Sequence, residues 1–505
     1  MLAAIRVLAL YLYAIMHDQV ILTLAVALPF IGSFLLPLIG RVSEKARNGL
    51  ALACVLVSFG AALSLIPAVM AGQTIQVQLA GFNLFYADTL AVFMAFVSSL
   101  VGAIIVLYSF GYIHHYSWRN EYYFMVVLFL GAMMGLVCSR NLLILYLFWE
   151  ITTIACWRLI GFFREKTYVL KADKAFLVTV FGALVMLLGF IVIYQQTGSF
   201  DIGKIQQYFR GRPIPNLAVT LIMVGILSKS ATVPLHTWLP DAGVAPSPVT
   251  ALLHAAVLVK IGVYVYARLF LASWAIDPIW YTIVPAIAAV SALVSAGAAL
   301  LETDLKRLIA YSTISQIGFI FLGLAINNEI GIAGGLLYIM MHGIAKGGLF
   351  LCAGIIEQNT HTRDISRLGG LITTMPVTAV SFLLCAFSVM GIPPFGGFFS
   401  KYMVITGAVT SGQISIALTF LVGAFLTIMY LFRVFTLVFL GESKLAAKPL
   451  PAEGSPVMVF SVALLGALSI LSGVFINLPS QFAQAAVQQM VVVQAAMHQV
   501  LGMMP

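Results

Sequence analysis

Charge is scarce in this chain. Asp, Glu, Lys and Arg make up 9% of 505 residues while hydrophobic residues reach 62%. A soluble domain carries roughly 25% charged residues, so the composition excludes an ordinary water-soluble protein and indicates an integral membrane protein. Length alone would give about three domains, but apolar segments recur almost to the C-terminus, and one helical bundle accounts for the chain. Cysteine is scarce too. Cys54, Cys138, Cys156, Cys352 and Cys385 all lie in apolar stretches and none forms a C-x-x-C pair. They read as small buried core residues, which argues against an iron–sulfur or zinc site. There is no G-x-G-x-x-G or Walker A motif and no metal-ligand spacing, so no cofactor is expected in this chain. No A-x-A cleavage site is obvious, so no removable signal peptide is expected. The net charge of +9 is assigned to basic loops on the cytoplasmic face, and no nucleic-acid partner is expected.

What remains is a succession of apolar runs. A spanning helix needs about 20 mostly apolar residues. Such runs lie near 20–40, 49–70, 86–112, 121–139, 141–162, 172–195, 216–238, 248–271, 279–300, 306–326, 330–357, 373–392, 394–440 and 456–477. The expected fold class is an all-α polytopic membrane protein with about 14 transmembrane helices. The 394–440 run is too long for one span. It reads as the second half of a broken helix, a turn near Ser411-Gly412 and a further span. Residues 1–17 form either an extra span or a helix lying at the interface, and 478–505 a short amphipathic or apolar helix. Alternation of polar and apolar residues over 72–90 reads as a hairpin outside the bilayer. The loops holding Arg41, Lys45, Arg47, Arg119, Arg164, Lys166, Lys171, Lys174, Arg363, Arg367, Lys444 and Lys448 outweigh the alternate set, which places them in the cytoplasm and both termini outside.

Two of these spans are interrupted. "LSKSATVP" pairs Lys229 with Pro234, and "GIPPFGGFFSK" places Pro393-Pro394 ahead of Lys401. The breaks are five spans apart, and an odd offset reverses direction across the membrane. That is the signature of an inverted-topology repeat with sites at discontinuous helices. The chain divides accordingly into 1–120, N-terminal helices with the hairpin; 121–271, the first repeat; 279–440, the second, inverted repeat; and 441–505, the C-terminal helices.

Charges inside the apolar runs are the candidate functional groups. A charge at the bilayer centre costs about 2.5–3.5 kcal/mol on insertion scales, so such residues face the protein interior and serve a pathway. Glu150, in "LYLFWEITT", reads as a proton-linked carboxylate paired with a lysine or as half of a structural ion pair. Lys229 is its partner or snorkels to the interface. Lys260 lies deep in its span with His254 six residues earlier and roughly in line; His254 alternatively is a satisfied core residue. His342 and Lys346 stand at i, i+4 on one helix face, a proton relay or a Gly-rich packing surface. Lys306, beside Glu302, Asp304 and Arg307, reads from the residues alone as part of a solvated turn. Glu357, Arg363 and Asp364 border a loop and read as interfacial. Lys401 is the last buried lysine before the C-terminal spans. A catalytic Ser-His-Asp arrangement cannot be argued from these residues.

The motifs "FWE", "LSKSATVPLHTWLPDA", "ALLHAAVLVKIGVYVYARL", "TDLKRLIAYSTISQIG", "HGIAKGGLFL" and "GIPPFGGFFSK" resemble, in order, those of the antiporter-like subunits of respiratory complex I, Mrp-type cation/proton antiporters and membrane-bound nickel–iron hydrogenases. The resemblance covers roughly 80–440. It implies a 14-helix core of two inverted five-helix repeats with spans seven and twelve discontinuous. It implies a proton pathway through Glu150 and Lys229 as a paired site, Lys260 or Lys306 joining two half-channels, His254, His342 and Lys346 along a hydrated axis, and Lys401 at its end. The implied function is translocation of protons, or of sodium, by one subunit of a redox-driven or antiporter complex. The rivals are an autonomous antiporter and a module energising a non-redox uptake partner. No catalytic centre of its own is implied. The implied partners are other membrane subunits, homologous antiporter-like ones among them, a redox arm and the lipid bilayer. The implied location is a bacterial or archaeal cell membrane.

Overall fold

With so few polar side chains available, the backbone must satisfy its own hydrogen bonds inside a bilayer, and helices are the way a chain of this composition does so. The computed structural model describes residues 2–79, 82–326, 328–444 and 452–501. Its helices are α1 (Leu2–Val42), α2 (Glu44–Met70), α3 (Thr89–Tyr112), α4 (Arg119–Val137), α5 (Leu142–Ile160), α6 (Lys166–Thr197), α7 (Ile202–Tyr208), α8 (Asn216–Lys229), α9 (Trp238–Asp241), α10 (Ser247–Ala251), α11 (Leu258–Tyr266), α12 (Trp280–Leu301), α13 (Leu305–Ala325), α14 (Glu329–Thr360), α15 (Pro376–Met390), α16 (Gly396–Thr410), α17 (Ile414–Phe439), α18 (Pro456–Val474) and α19 (Asn477–Leu501). The chain is an all-α, multi-pass membrane protein. Among the described residues, 12 helical segments are long and apolar enough to span a bilayer, and α8 and α15 are shorter apolar helices.

The expected hairpin is present as β1 (Ile75–Leu79) paired antiparallel with β2 (Phe82–Ala87). One expectation about boundaries changes and another holds. No break separates residues 1–17 from the first span: α1 runs through as one helix. The 394–440 run does split where expected, with Ser411 and Gly412 (φ +71°) between α16 and α17. The left-handed φ is one that glycine adopts without steric cost.

Burial sorts the helices. Every residue in the apolar window of Ser247–Leu271 and of α14 is buried, against 39% for α2, α6, α17 and α18. The first pair forms the protein interior, and the others leave most of their apolar windows outside the packed core. All five cysteines are buried and free, as their apolar settings indicated. α14 packs against α13, α15 and α16, and α12 against α13. The central helices are the ones that carry His254, Lys260, His342 and Lys346.

At one end of the bundle, ion pairs join Arg119 to Glu44, Arg164 to Glu121, Lys174 to Asp241 and Arg363 to Asp304. At the opposite end the hairpin, Arg140 and Arg268 gather around Asp88. Asp88 caps α3 by accepting from Ala91 N at 2.9 Å, and it holds Arg268 in two hydrogen bonds of 2.5 and 2.6 Å.

Candidate functional site

α5 starts at Asn141, whose side chain accepts from Leu143 N at 2.9 Å. That cap sets the helix on which Trp149, Glu150 and Thr153 follow. α8 ends on Lys229, placing a cation at the negative end of the helix dipole, among carbonyls without helical partners. Lys229 is fully buried. Its Nζ donates to Thr153 Oγ1 at 2.6 Å and to Trp149 O at 3.2 Å, and lies 5.3 Å over the Trp149 ring. Glu150 and Lys229 are electrostatically coupled, but the expected pair is not a direct salt bridge. Thr153 stands between them, three residues from Glu150 on the same helix face, within hydrogen-bonding reach of both. Past Lys229 the chain turns through Ala231, with φ +51°, to the cis peptide bond Val233-Pro234. The interruption is closed partly by protein groups: Trp238 Nε1 donates to Ser228 O at 3.0 Å and Val233 N to Ser291 Oγ at 3.2 Å.

His254 and Lys260 do not share one regular helix. Leu252–Ala256 is a π-helical turn, and Val257 departs from helical geometry before α11 begins. Such turns mark functional positions in helices. The His254 ring packs on Phe350 at 4.5 Å. His254, Lys260, His342 and Lys346 are all completely buried. Both ring nitrogens of His254 and of His342, and Lys260 Nζ, have no hydrogen-bond partner among the described residues. Buried polar groups require partners, and a roomy polar site in a membrane protein supplies them as water. His254 lies within electrostatic reach of Lys306 and Lys346, and His342 within reach of Lys260, Lys346 and Lys401. Gly343 makes the close approach possible: a Cβ there would stand 3.0 Å from Lys260 Nζ.

Lys306 corrects the solvated-turn reading. Asp304 caps α13, accepting from Lys306 N at 3.0 Å and Arg307 N at 3.1 Å. Arg307 turns out to Asp241 and Glu302, whereas Lys306 turns in and is 1% exposed. Its Nζ donates to Ala245 O at 2.7 Å and pairs with Glu357 at 3.1 Å. Glu357, read as interfacial, is therefore the counter-ion of a buried lysine. Asp241 is the last residue of α9; burial would raise its carboxyl, but Lys174 and Arg307 together hold it below the usual carboxylate range.

At the far end Lys401, 4% exposed, donates to Val389 O at 2.6 Å and sits 5.5 Å over the Tyr338 ring. Here the second interruption, with the cis bond Pro393-Pro394, brings the end of α15 over the lysine. A chain of side-chain hydrogen bonds approaches from Lys346. Its Nζ donates to Ser312 Oγ at 2.6 Å, and Ser312 meets Tyr430 OH at 2.6 Å. Gln316 Nε2 donates to Tyr430 OH at 3.2 Å, and Tyr338 OH donates to Gln316 Oε1. The line thus runs from Lys306 through His254, Lys346 and His342 to Lys401, with Lys260 beside it. Glu150 and Lys229 form a separate cluster in the first half.

Comparison with known proteins is decisive at this point. The family model described as "NADH:quinone oxidoreductase/Mrp antiporter, TM" matches residues 139–427, more than half of the chain. The chain belongs to this family. It is 33% identical, over 96% of its length, to the "Na(+)/H(+) antiporter subunit A1" of Staphylococcus haemolyticus (strain JCSC1435), and 34% identical, over 90%, to the protein of that name from Staphylococcus aureus. It spans 65% and 61% of those two relatives. Its fold is that of a chain in the Mrp complex from Dietzia sp. DQ12-45-1b, with TM-score 0.85, 22% identity and 95% and 99% of the two chains covered. It is equally that of a chain in the membrane-bound sulfane sulfur reductase, an archaeal respiratory membrane complex, with TM-score 0.84, 23% identity and 96% and 100% covered.

Within this chain the structure adds residues that the sequence reading left out of the site. Thr153 had a signal, its three-residue spacing from Glu150. Glu357 had one as well, an acid in the last turn of a long apolar run. Ser312, Gln316, Tyr338 and Tyr430 had none, since single polar residues in apolar helices are common. Among the described residues no group of three His, Cys, Asp or Glu side chains is placed to hold a metal ion.

Proposed function

We propose that this chain is a proton-translocating, antiporter-like subunit of a multisubunit membrane complex of the Mrp type, working in exchange for sodium. The observation that carries the reading is the complete burial of Lys229, His254, Lys260, His342 and Lys346 in one bundle. Titratable groups kept at membrane depth are costly and serve a pathway, and here they succeed one another within electrostatic reach. Glu150 and Lys229 tune one another across Thr153, so that a change in either charge alters the proton affinity of the other. We infer with it an architecture of two inverted repeats interrupted at α8–α9 and α15–α16, with 14 spans in all. The curated relatives favour the cation/proton antiporter branch over a redox-driven complex. The partners we infer are other membrane subunits in a bacterial cell membrane, homologous antiporter-like ones among them; a redox arm is the alternative, and co-purification separates the two.

The test is exchange in proteoliposomes holding the chain with its partner subunits. A sodium gradient is expected to drive pH changes, lost in Lys229→Ala and Glu150→Ala. Wild-type exchange by both variants would sink the reading. Exchange by the isolated chain would favour an autonomous antiporter.

A further inference from the structure

One cavity opens beside the outer end of the buried line, next to Glu357. It has a volume of about 420 Å³ and opens among Tyr112, Tyr116, Glu165, His361, Arg363 and Glu357. It lies at the end of the bundle that carries the basic loops. Glu357 has two faces. Its side chain is 28% exposed toward this vestibule, while Oε2 accepts from Lys306 Nζ at 3.1 Å and from Ser247 Oγ at 3.2 Å. Lys306 itself is 1% exposed and has His254 within electrostatic reach. Two groups among the described residues line the vestibule and also bond to Lys306, the Ala245 carbonyl and the Glu357 carboxylate, and of these the carboxylate is the one that titrates. Arg363 stands 3.8 Å from Glu357 and 3.2 Å from Asp304, fixing the rim of the opening.

We propose that this vestibule is the port through which protons are exchanged with the medium on the basic-loop side, and that the Glu357–Lys306 pair is its gate. The proposal rests on the proton-translocating reading above. A hydronium ion in the vestibule protonates the Glu357 carboxylate and leaves as water. The Lys306 ammonium, no longer compensated, gives one proton to the His254 imidazole. The neutral amine then takes the proton from the Glu357 carboxyl, and the ion pair re-forms. One proton has moved from the vestibule to His254 and the gate is restored. The charged and titratable groups facing the pair are Arg363, Asp304, His361, Glu165, Tyr108, Tyr112, Tyr116 and Tyr168, with His254 on the inner side.

The experiment uses the full chain with its partner subunits in proteoliposomes, with Lys229→Ala as reference. Glu357→Gln keeps the shape of the side chain and removes its proton affinity. It is expected to lower turnover by about a hundredfold, the lower range for loss of a positioned proton donor, while Glu357→Asp keeps a measurable part. A second arm does not depend on that residue. Thr362→Cys, on the vestibule wall, is treated with a bulky membrane-impermeant thiol reagent from each side. Turnover is expected to fall on reaction from the basic-loop side only. Wild-type turnover in Glu357→Gln, or labelling of Thr362→Cys without effect on turnover, overturns the port while an inactive Lys229→Ala leaves the broader reading standing. Should Glu357→Gln fail to assemble, the labelling arm decides. Full activity in Lys229→Ala removes both.

Discussion

Asp88 and Arg268 make the most exacting test of the structure, because they anchor the end of the interrupted segment Ser247–Leu271 that carries His254 and Lys260. Their side chains are 9% and 6% exposed, and two hydrogen bonds of 2.5 and 2.6 Å join them. Arg268 also donates to Tyr264 OH at 2.9 Å, one turn back toward Lys260. Removing one member of a buried pair leaves an uncompensated charge and costs about 3–5 kcal/mol. Asp88→Asn preserves the N-cap of α3, since Asn caps as well as Asp, and so isolates the charge effect. Asp88→Ala adds a further ~1 kcal/mol for the lost cap. At 1.4 kcal/mol per tenfold, a 3 kcal/mol loss is more than about a hundredfold in the unfolding equilibrium. The assay is unfolding in lipid nanodiscs for wild type, Asp88→Asn, Arg268→Gln and the double variant. The double variant is expected to recover a large part of either single loss, because no charge is then left buried alone. The sign with pH follows from the structure as well. Burial pushes the Asp88 carboxyl up, but Arg268 and the Ala91 N–H more than offset it, so it lies below the ordinary value. A carboxyl depressed on folding stabilises fully above its unfolded value of about 3.9, and the contribution is lost as pH falls through the folded one. Unchanged stability in Asp88→Asn, or a double variant weaker than both singles combined, would refute the reasoning.

Three further outcomes are expected. Thr153→Val, which removes the hydroxyl between Glu150 and Lys229 while keeping the volume, lowers sodium-driven proton movement about tenfold, and Thr153→Ser restores it; equal rates in Val and Ser variants would remove Thr153 from the site. Tyr430→Phe breaks the hydrogen-bonded chain from Lys346 to Tyr338 without changing the ring packing and slows turnover several-fold with assembly intact, read by initial rates in proteoliposomes. Gly343→Ala puts a methyl group 3.0 Å from Lys260 Nζ and lowers turnover with little loss of helix content, whereas Gly347→Ala, whose nearest neighbour is Val101 Cγ1 at 3.3 Å, leaves Lys260 undisturbed.

Much of the site was legible because a charge in an apolar run has few explanations. Glu150, Lys229, Lys260, Lys346 and Lys401 stood out for that reason. Lys306 did not, because its neighbours Glu302, Asp304 and Arg307 are what a solvated helix start looks like. Only the three-dimensional turn of α13 shows that adjacent residues go opposite ways, Arg307 to Asp241 and Lys306 to the interior. The helix interruption between His254 and Lys260 was hidden too. Ala255, Ala256 and Val257 carry no Gly or Pro signal, and the π-helical turn lies against α14, with His254 on Phe350. Spacing along an assumed regular helix therefore placed the two residues in line when the backbone between them is not regular.

The two interrupted helices looked alike in sequence, a lysine beside prolines in each. Their environments differ in a way that bears on mechanism. Lys229 is the last residue of α8, before its break, and has Glu150 as a coupled acid across Thr153. Lys401 lies one turn into α16, after its break, and no carboxylate among the described residues pairs with it. Its ammonium is held by the carbonyls of Val389 and Met390, at 2.6 and 3.4 Å, and faces the rings of Phe319 and Tyr338. Gly391, with φ +82°, makes room for that side chain, since a Cβ there would lie 2.9 Å from Lys401 Cδ. A cation compensated only by dipoles and aromatic faces is stabilised less than one with a counter-ion. The two interrupted helices are therefore not interchangeable: the lysine at the first has a carboxylate within electrostatic reach across a threonine, and the lysine at the second rests on carbonyls and aromatic faces alone.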